Sequence, residues 1–459
     1  MLILTADIGS TYTKLTAIDT AREEIVATAA SFTTIETDVM EGFRKALHKI
    51  EEQIPNFSYN KLLCCSSAAG GLKMVALGLV PELTAKAARL AAASAGAKVV
   101  KTYSFEISQV ELDEIAAIEP DLILLSGGTD GGNKEVIVPN AKHLSRLEGN
   151  FSVIVAGNKS AAAEVGAVFD AAEVPYVIAE NVMPEFNRLN IEPAQKHITE
   201  LFIDQIIEAK GLNHIQQLTP HDIIPTPLAV LQACGWLSDG TANEAGIGEL
   251  MVVDLGGATT DVYSISDGKP TLEDVTVKGL PEPYRKRTVE GDLGMRYSLH
   301  ALADDLDMDR FADEAGISKE RAETWVQAVT DNPDLLAEPH SEEQSIELAF
   351  AREAVRIAVE RHAGRYEPVF TPFGQVFALT GKDLSAIPYI IGVGGAIINA
   401  PDATHILEGA LGTAGDYEYA KPKNPKLKID SSYVFAAMGL LSQVDADLAV
   451  QLMKKYIIK

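Results

Sequence analysis

The sequence predicts an α/β protein with two lobes and an additional α/β subdomain within the first lobe. An acidic, glycine-containing turn occurs twice, in residues 7–14 and residues 254–261. Between these copies, apolar strand patterns alternate with alanine-rich helical patterns, which is typical of parallel sheets covered by helices. A chain of 459 residues, 47% of them hydrophobic, is long enough for two separate cores. We expect a first lobe in residues 1–245 that includes the subdomain in about 60–185, a second lobe in 246–430, and connecting helices in 431–459 that return to the first lobe.

The repeated turn is the strongest functional signal in the sequence. Its first copy follows the apolar residues Leu2–Leu4, and its second copy follows Leu250–Val253. After the glycines, each copy resumes as an apolar, β-branched stretch, so each predicts a β-hairpin with a polar turn. A single Asp-x-Gly turn is common in ordinary hairpins. Two copies at strand ends favour a paired phosphate-binding site.

The turns have the chemistry of a site for phosphate and a hard cation. Turn glycines bring backbone N–H groups close to an anion without interference from a Cβ atom, and hydroxyl side chains add donors. Asp7 and Asp254 would act through Mg²⁺ or its waters, because Mg²⁺ binds carboxylates and phosphates together. We therefore expect both to be catalytic and metal-binding. The other predicted phosphate-binding residues are Gly9, Ser10, Thr11 and Thr13 in the first turn, and Gly256, Gly257, Ala258, Thr259 and Thr260 in the second.

Three further segments have the composition of an adenosine turn and two closely packed helices. In residues 389–397 an apolar strand breaks at three glycines before a predicted helix, which would let a flat adenosine lie against bare backbone. A helix with early proline begins near residue 225, and a second helix of small residues begins near residue 433. Small side chains allow two helices to cross closely. The three turn glycines are Gly392, Gly394 and Gly395.

In this order, the five segments resemble the superfamily of acetate and sugar kinases, heat-shock chaperones and actin. The resemblance implies a two-lobed, actin-like ATPase with duplicated ribonuclease H-like domains and an elaborated first lobe. It also implies that Asp7 and Asp254 hold Mg²⁺ and position water, that the glycines of residues 392–395 support adenosine, and that Lys14 contacts phosphate. From the sequence alone, the alternative is that Lys14 is a solvated strand lysine.

The charge balance excludes several kinds of partner. The chain has 39 Lys and Arg against 65 Asp and Glu, a formal net charge of −26. A general nucleic-acid binder needs a basic surface, so we expect no nucleic-acid partner. The same balance disfavours anionic membranes, and no run reaches the roughly 18–20 apolar residues that span a bilayer. The first residues lack the basic and apolar regions of a signal peptide, so we expect a cytoplasmic protein.

The three cysteines do not form a metal-binding or redox pattern. Cys64 and Cys65 are adjacent and Cys234 is remote, which matches neither zinc nor iron–sulfur spacing. Adjacent side chains in a strand point to opposite faces, so this pair is poorly placed to share a cluster. Iron–sulfur activators of the same superfamily are therefore the least compatible class. A reduced compartment is the simplest expectation.

Three glycine-rich or basic segments have open interpretations. Residues 126–132 follow a predicted strand and could bind a ligand or partner, or form a mobile turn. Residues 64–71 could form an anion site or a close strand-to-helix packing. The basic residues in 285–296 could be a solvated patch, or could meet a phosphate tail or a partner's carboxylates.

Residues 4–14, 126–132 and 287–296 narrow the resemblance to one family. Together they are similar to the glutamate mutase (methylaspartate mutase) accessory proteins, of the MutL and GlmL type. The resemblance implies an ATP-hydrolysing, chaperone-like reactivating factor that uses Mg²⁺. Its partners would be subunits of an adenosylcobalamin-dependent mutase, either glutamate mutase or a related aminomutase. Interdomain motion would release damaged cobalamin from that partner.

Other classes with similar hairpins remain open at this point. A small-molecule kinase would need an additional carboxylate base and a closed substrate pocket. An ATP-dependent hydrolase subunit of the hydantoinase or oxoprolinase kind is usually longer than this chain. A filament-forming protein would need polymerisation surfaces, which sequence does not reveal.

Overall fold

The computed structural model describes residues 1–9, 11–34, 38–67, 73–209, 212–372, 374–413 and 418–458. Ser10 and residues 68–71, which carry two of the predictions above, lie outside these ranges. The strands are β1 (Leu2–Ile8), β2 (Tyr12–Asp19), β3 (Glu24–Phe32), β4 (Lys61–Ser66), β5 (Lys73–Gly78), β6 (Lys98–Ser104), β7 (Leu122–Leu125), β8 (Ser152–Val155), β9 (Tyr176–Ile178), β10 (Ile224–Pro225), β11 (Leu250–Leu255), β12 (Thr260–Ile265), β13 (Val275–Lys278), β14 (Arg285–Glu290), β15 (Arg365–Thr371), β16 (Gly374–Thr380), β17 (Tyr389–Val393) and β18 (Lys426–Ile429). The α-helices are α1 (Val39–Gln53), α2 (Lys86–Ser94), α3 (Gln109–Ile118), α4 (Ile137–Leu144), α5 (Ala162–Ala171), α6 (Glu192–Ala209), α7 (Asn213–Gln216), α8 (Thr226–Asp239), α9 (Leu299–Asp304), α10 (Met308–Ala315), α11 (Lys319–Asp331), α12 (Glu342–His362), α13 (Gly395–Ile398), α14 (Ala403–Leu407), α15 (Phe435–Leu441) and α16 (Ala446–Met453).

Two five-stranded sheets share one strand order and form the cores of the two lobes. The first has the order β3-β2-β1-β4-β10, and the second has the order β14-β12-β11-β17-β18. In each sheet the first three strands are antiparallel neighbours, and the last two run parallel to the central strand. The central strands β1 and β11 are mostly apolar and buried, so each sheet is covered by helices. The predicted two-lobed α/β fold with duplicated sheets is confirmed.

A third sheet forms the subdomain within the first lobe. Its strands are all parallel, in the order β6-β5-β7-β8-β9, which is the doubly wound order 2-1-3-4-5. We call residues 73–183 the inserted domain. The insertion was predicted to start near residue 60, but β4 pairs with β1, so the separate sheet begins at Lys73.

The two lobes meet at crossed helices, as the small residues predicted. Helix α8 follows the last strand of the first sheet, and α15 follows the last strand of the second. At their crossing Gly439 lies directly against the carbonyl oxygen of Ala229, and a Cβ atom at Gly439 would overlap that oxygen. Apolar residues from both sheets pack on the helix pair, among them Ile3 and Val252. We call this cluster the hinge core.

The C-terminal segment contacts the first lobe. Tyr456 Oη accepts a hydrogen bond from the Ile25 N–H at 3.3 Å, and Lys455 Nζ donates to the Glu23 carbonyl at 3.4 Å. Glu23 directly precedes β3, and Ile25 is its second residue. The last residues of the chain therefore tie the hinge core to the outer strand of the first sheet.

The cysteines are buried and free, and none lies on the surface. Burial raises the pKa of Cys64 to about 12 and raises the pKa values of Cys65 and Cys234 above their usual range. The thiolate is the reactive form, so these thiols are unreactive in the folded protein. Among the described residues, no helix combines the length and hydrophobicity of a membrane span.

His362 is a fully buried histidine in the second lobe. Its ring nitrogens bond to the hydroxyls of Thr288 and Ser264, each at 2.8 Å. Burial, followed by the charges of Lys286 and Lys382, lowers its pKa well below the usual 6.5. Below that pH the unfolded chain takes up a proton that the folded protein refuses, so stability falls by up to about 1.4 kcal/mol per pH unit.

The variant His362→Gln should therefore lose less stability than the wild type as the pH falls from 6.5 to about 5. Denaturant unfolding at a series of pH values measures this slope. The matched control is His48→Gln, because the His48 side chain is 71% exposed. Equal slopes for the wild type and His362→Gln would contradict the assignment.

Candidate functional site

The first turn brings Asp7 together with residues from two other elements. Asp7 lies opposite Lys14 in the β1–β2 register, so both side chains share one face of the sheet. The Asp7 Oδ1 atom accepts hydrogen bonds from Thr226 Oγ1 at 2.7 Å and from Cys65 Sγ at 3.5 Å. Thr226 is the first residue of α8. The carboxylate is thus fixed to the start of a hinge helix, which the sequence did not reveal.

The second turn is supported from behind by residues 295–298. The N–H groups of Met295 and Arg296 donate to the carbonyls of Gly256 and Gly257 at 3.1 and 2.8 Å. Ser298 Oγ donates to the Ala258 carbonyl at 2.7 Å. In the described part of the chain, the N–H groups of Gly257 and Ala258 have no acceptor. The carbonyls of the turn are bonded to residues 295–298, and the N–H groups of Gly257 and Ala258 remain available to an anion.

Two predicted hydroxyl donors face away from this site. Thr13 Oγ1 bonds to Thr33 Oγ1 at 3.0 Å, and Thr260 Oγ1 donates to the Leu293 carbonyl. Both threonines are fully buried. Side chains alternate along a strand, so Thr13 and Thr260 lie on the opposite faces from Lys14 and Asp261. They fasten the hairpins, whereas Thr11 and Thr259 lie in the turns.

The first turn itself is closed by Gly9. Its N–H donates to the Tyr12 carbonyl at 3.0 Å, and a Cβ atom at Gly9 would lie 2.7 Å from that oxygen. Any side chain would therefore open the turn. The glycine is required by a close backbone contact.

Of the three glycines in the predicted adenosine turn, one packs in the second-lobe core and two lie at the candidate site. Gly392 lies within β17, where a Cβ atom would press on Ile397 and Leu407 of the second-lobe core. Gly394 has φ +90° and lies against Asp254, with only 2.6 Å between a Cβ atom and Asp254 Oδ1. Gly395 begins α13 beside the Tyr433 hydroxyl. Only Gly394 and Gly395 reach the site between the lobes.

Four carboxylates and one lysine surround the space between the two turns. Burial raises the pKa of Asp254 to about 7, Asp261, Asp7 and Asp430 add to the rise, and Lys14 opposes it. Lys14 of the first hairpin contacts the Tyr433 ring, and the Tyr433 hydroxyl lies beside Gly395, next to the Gly394 that lies against Asp254, so the first hairpin faces the second. Excess negative charge of this kind fits a divalent cation with phosphate and water as its remaining ligands. Within the described residues, no three acidic, His or Cys side chains form a ready-made metal cluster.

Asp430 and Tyr433 belong to the site, although no motif indicated them. Asp430 is fully buried; its Oδ2 atom accepts hydrogen bonds from the N–H groups of Val434 and Phe435, and its Oδ1 atom has no partner in the described residues. Tyr433 has φ +57°, a strained value for an aromatic residue, and its ring lies 3.3 Å from Lys14 Nζ. Asp430 follows β18 as Thr226 follows β10, so the duplicated fold could have indicated it.

The basic segment is neither a solvated patch nor a free anion site, because its side chains are paired within the chain. Its first three residues are the basic side chains Arg285, Lys286 and Arg287. Arg285 pairs with Asp239 at 2.8 Å and is the most exposed of these three. Lys286 and Arg287 are buried. Their acidic partners are Glu282 at 3.3 Å and Asp261 at 2.5 Å.

The glycine-rich loop in residues 126–132 is held in place by two buried asparagines. Asn158 accepts a hydrogen bond from the Gly131 N–H at 3.0 Å and donates to the Gly132 carbonyl at 3.0 Å. Asn181 Nδ2 donates to the Gly128 carbonyl at 3.0 Å. The loop is therefore a fixed structure at the carboxyl edge of the parallel sheet.

Gly394→Ala should weaken nucleotide binding more than it weakens the fold. The added methyl group would meet Asp254 and the Leu255 carbonyl, and Gly394 has a positive φ that alanine resists. We expect at least about a tenfold loss of affinity for ATP–Mg²⁺, since strain and displacement each cost about 1 kcal/mol or more. Titration calorimetry measures the affinity. Gly279→Ala is the control because it is strained in φ yet has open space around it, and an equal loss there would contradict a site effect.

Two duplicated sheets, a pair of facing acidic hairpins and crossed hinge helices define an actin-like, two-lobed protein. A family model described as "MutL protein" matches residues 3–457. A curated relative, "Protein MutL" of Clostridium tetanomorphum, is 45% identical and the alignment covers 99% of both chains. This chain belongs to the MutL family, as its motifs predicted.

Solved structures with some similarity span the whole chain at low identity. They include the "Activator of the 2-Hydroxyisocaproyl-CoA Dehydratase from Clostridium difficile with bound ADPNP", with 9% identity, a TM-score of 0.32, and coverage of 99% of this chain and 98% of that chain. A gluconate kinase from Lactobacillus acidophilus has 12% identity and a TM-score of 0.36, covering 100% of this chain and 92% of that one. The two sheets of equal strand order, and not these matches, define the fold.

Proposed function

We propose that this protein binds and hydrolyses ATP and uses the resulting motion to reactivate an adenosylcobalamin-dependent mutase. The partner would be glutamate mutase or a related aminomutase. Membership of the MutL family supports an accessory role of this kind. The observation that carries the ATPase proposal is the pair of equivalent acidic hairpins that face each other across the lobes.

The second turn and the adenosine turn would bind most of the nucleotide. The free N–H groups of Gly257 and Ala258 would donate to phosphate oxygens, with the Thr259 hydroxyl beside them. Gly394 and Gly395 would leave room for adenosine against bare backbone. From the first lobe, Gly9 and Thr11 would border the terminal phosphate, and Lys14 would neutralise it from its place above the Tyr433 ring.

Asp7 and Asp254 have the chemistry to hold Mg²⁺, directly or through water. When bound, Mg²⁺ would neutralise phosphate charge and align the phosphate oxygens. Asp7 would orient the attacking water, because Thr226 and Cys65 fix one of its oxygens and leave the other free to accept. Phosphoryl transfer depends mostly on positioning and charge neutralisation, so no covalent step on the protein is required.

Both hinge helices begin at this site, which gives hydrolysis a route to lobe motion. Thr226 opens α8 and donates to Asp7, and Tyr433 directly precedes the segment that enters α15 and contacts Lys14. Loss of the γ-phosphate would remove the group that joins the two turns. The lobes would then rotate about the hinge core, and this motion would loosen the bound mutase enough for damaged cobalamin to leave.

Reactivation can be tested directly with a mutase whose cobalamin has been inactivated. The purified protein, ATP–Mg²⁺ and free cobalamin are incubated with the inactive mutase, and recovered turnover and exchanged cobalamin are measured. We expect recovery with ATP, and none with a non-hydrolysable ATP analogue. Absence of recovery together with phosphorylation of a metabolite would overturn the proposal in favour of a small-molecule kinase.

A further inference from the structure

Helix α2 of the inserted domain lies between the two lobes. Its alanine-rich surface is almost entirely buried, which allows close approach on more than one side. On the side of the first lobe, Gly96 lies against Pro225 at the entrance to α8, and Gln195 Nε2 donates to the Ser94 carbonyl at 3.0 Å. On the other side, α2 packs against β14 of the second lobe. Because α2 contacts both lobes, a movement of one lobe relative to the other would change its contacts.

Charged side chains of the second lobe hold both ends of α2. At the start of the helix, Lys86 Nζ lies 2.5 Å from a carboxylate oxygen of Glu282. At the end of the helix, Arg287 Nη1 donates to the Ala93 carbonyl at 3.1 Å. A cation at a helix C-terminus is favourable because the last carbonyls carry partial negative charge. The inserted domain is thus fastened to the second lobe, although its sequence lies within the first.

The same arginine holds a carboxylate of the second hairpin. Arg287 Nε and Nη2 donate to Asp261 Oδ1 at 2.6 and 2.5 Å, and only 4% of the Arg287 side chain is exposed. Asp261 is the register partner of Asp254 on β11. Buried ion pairs contribute little net stability, so a stabilising role alone does not explain this one.

The chain of hydrogen bonds continues into the second turn. Thr259 Oγ1 donates to the other carboxylate oxygen of Asp261, Oδ2, at 3.4 Å. A threonine hydroxyl has one hydrogen to donate. If Thr259 donates to a phosphate, it can no longer donate to Asp261. The Thr259 hydroxyl can therefore donate to Asp261 or to a phosphate, but not to both.

We propose that Arg287 is a positioning residue that connects the second turn to the inserted domain. It positions Asp261 for the Thr259 hydroxyl through Nε and Nη2, and it holds the end of α2 through Nη1. A phosphate in the turn takes the Thr259 donor, weakens the hold on Asp261, and so changes how firmly α2 is seated. The contacts of Arg287 with Asp261 and with α2 are observed directly, whereas the response to nucleotide rests on the proposed ATP binding.

Hydrogen exchange of the α2 amides tests the connection without any measurement of activity. In nucleotide-free protein, Thr259→Val removes the donor and should reproduce the α2 exchange of ATP–Mg²⁺-bound wild type. Thr259→Ser retains the hydroxyl and should behave as wild type. Arg287→Gln should raise α2 exchange about tenfold or more, since a charge-assisted bond to the helix end contributes about 1.5–3 kcal/mol.

Arg285→Gln is the matched control for Arg287→Gln. Arg285 lies on the same strand, but it pairs with the surface residue Asp239 and should leave α2 unchanged. Unchanged α2 exchange in both Arg287→Gln and Thr259→Val would overturn the proposal. If Arg287→Gln does not fold, the valine and serine variants of Thr259 still decide, because that side chain lies in a turn and outside the core.

ATP binding to the wild type separates this proposal from the proposed function. If the wild type binds no ATP–Mg²⁺, the ATPase proposal fails, and the nucleotide-free exchange of the variants still shows whether the connection exists. If ATP binds but leaves α2 exchange unchanged in wild type, the connection to nucleotide is wrong while the ATPase proposal stands. Steady-state ATP hydrolysis by the wild type and by Arg287→Lys gives a second readout. If Arg287 positions the second turn, the substitution should lower kcat more than it raises KM.

Discussion

Asp7→Asn is expected to reduce ATP hydrolysis by about 10²–10³-fold while the fold remains intact. The amide oxygen can still accept the hydrogen bond from Thr226, so the entrance to α8 keeps its contact. The negative charge that would hold the cation and orient water is lost. Initial rates of phosphate release, measured at saturating ATP–Mg²⁺, test the expectation.

The control for this substitution is Asp267→Asn, at the far end of the second hairpin. Asp267 is exposed. Within the described residues its carboxylate pairs with Lys269 and its N–H donates to Glu249, so hydrolysis should not change. Thermal unfolding of both variants should match the wild type within a few degrees. Full hydrolysis by Asp7→Asn would remove Asp7 from the site.

Gly439→Val is expected to destabilise the protein by about 3 kcal/mol or more, because overpacked cores rarely relax fully. Gly439 contacts the backbone of α8 directly, so even one added carbon would force the two hinge helices apart. The displaced helices would disturb apolar contacts from both lobes at once. Urea unfolding, followed by circular dichroism, measures the loss as a lower midpoint.

Ala436→Val is the matched control within α15. It adds two carbons to the same helix, at a position that is only partly buried. We expect a midpoint shift well below that of Gly439→Val. Equal shifts would mean that helix propensity, rather than the crossing, determines the effect.

The sequence was sufficient for the features that depend on local pattern. The two hairpins were predicted because a polar turn between apolar strands is a short-range signal. The apolar residues of 342–362 recur at helical spacing and coincide with α12, and Ser318 is a typical N-cap residue that directly precedes α11. The close crossing at Gly439 followed from small residues in the two helices.

Features that depend on contacts between distant residues were not predictable. The strand Lys73–Gly78, which lies between β6 and β7 in the inserted sheet, follows a glycine-rich stretch and was not predicted, and neither was the small sheet of β13, β15 and β16. Asp430 and Tyr433 enter the site only because the second sheet brings their chain beside Lys14. The pairing of Arg287 with Asp261 likewise required the β12–β14 register.

Two of the predicted hydroxyl donors, Thr13 and Thr260, differ from the structure for another reason. Thr13 and Thr260 were grouped with the turn residues because of their chemistry. Each lies one residue before the side chain that faces the other lobe, and a shift of one residue in a strand reverses the face. The alternation of faces along β2 is a property of the sequence pattern, and it is enough to separate Thr13 from Lys14.

The burial of all three thiols has a practical consequence for measuring lobe motion. Native protein should resist maleimide labelling, because each thiol is enclosed and has a raised pKa. If one cysteine were introduced on the surface of each lobe, these two residues would accept fluorophores while the native thiols would not. The distance between two such dyes could be followed through a single nucleotide cycle without first removing any native cysteine.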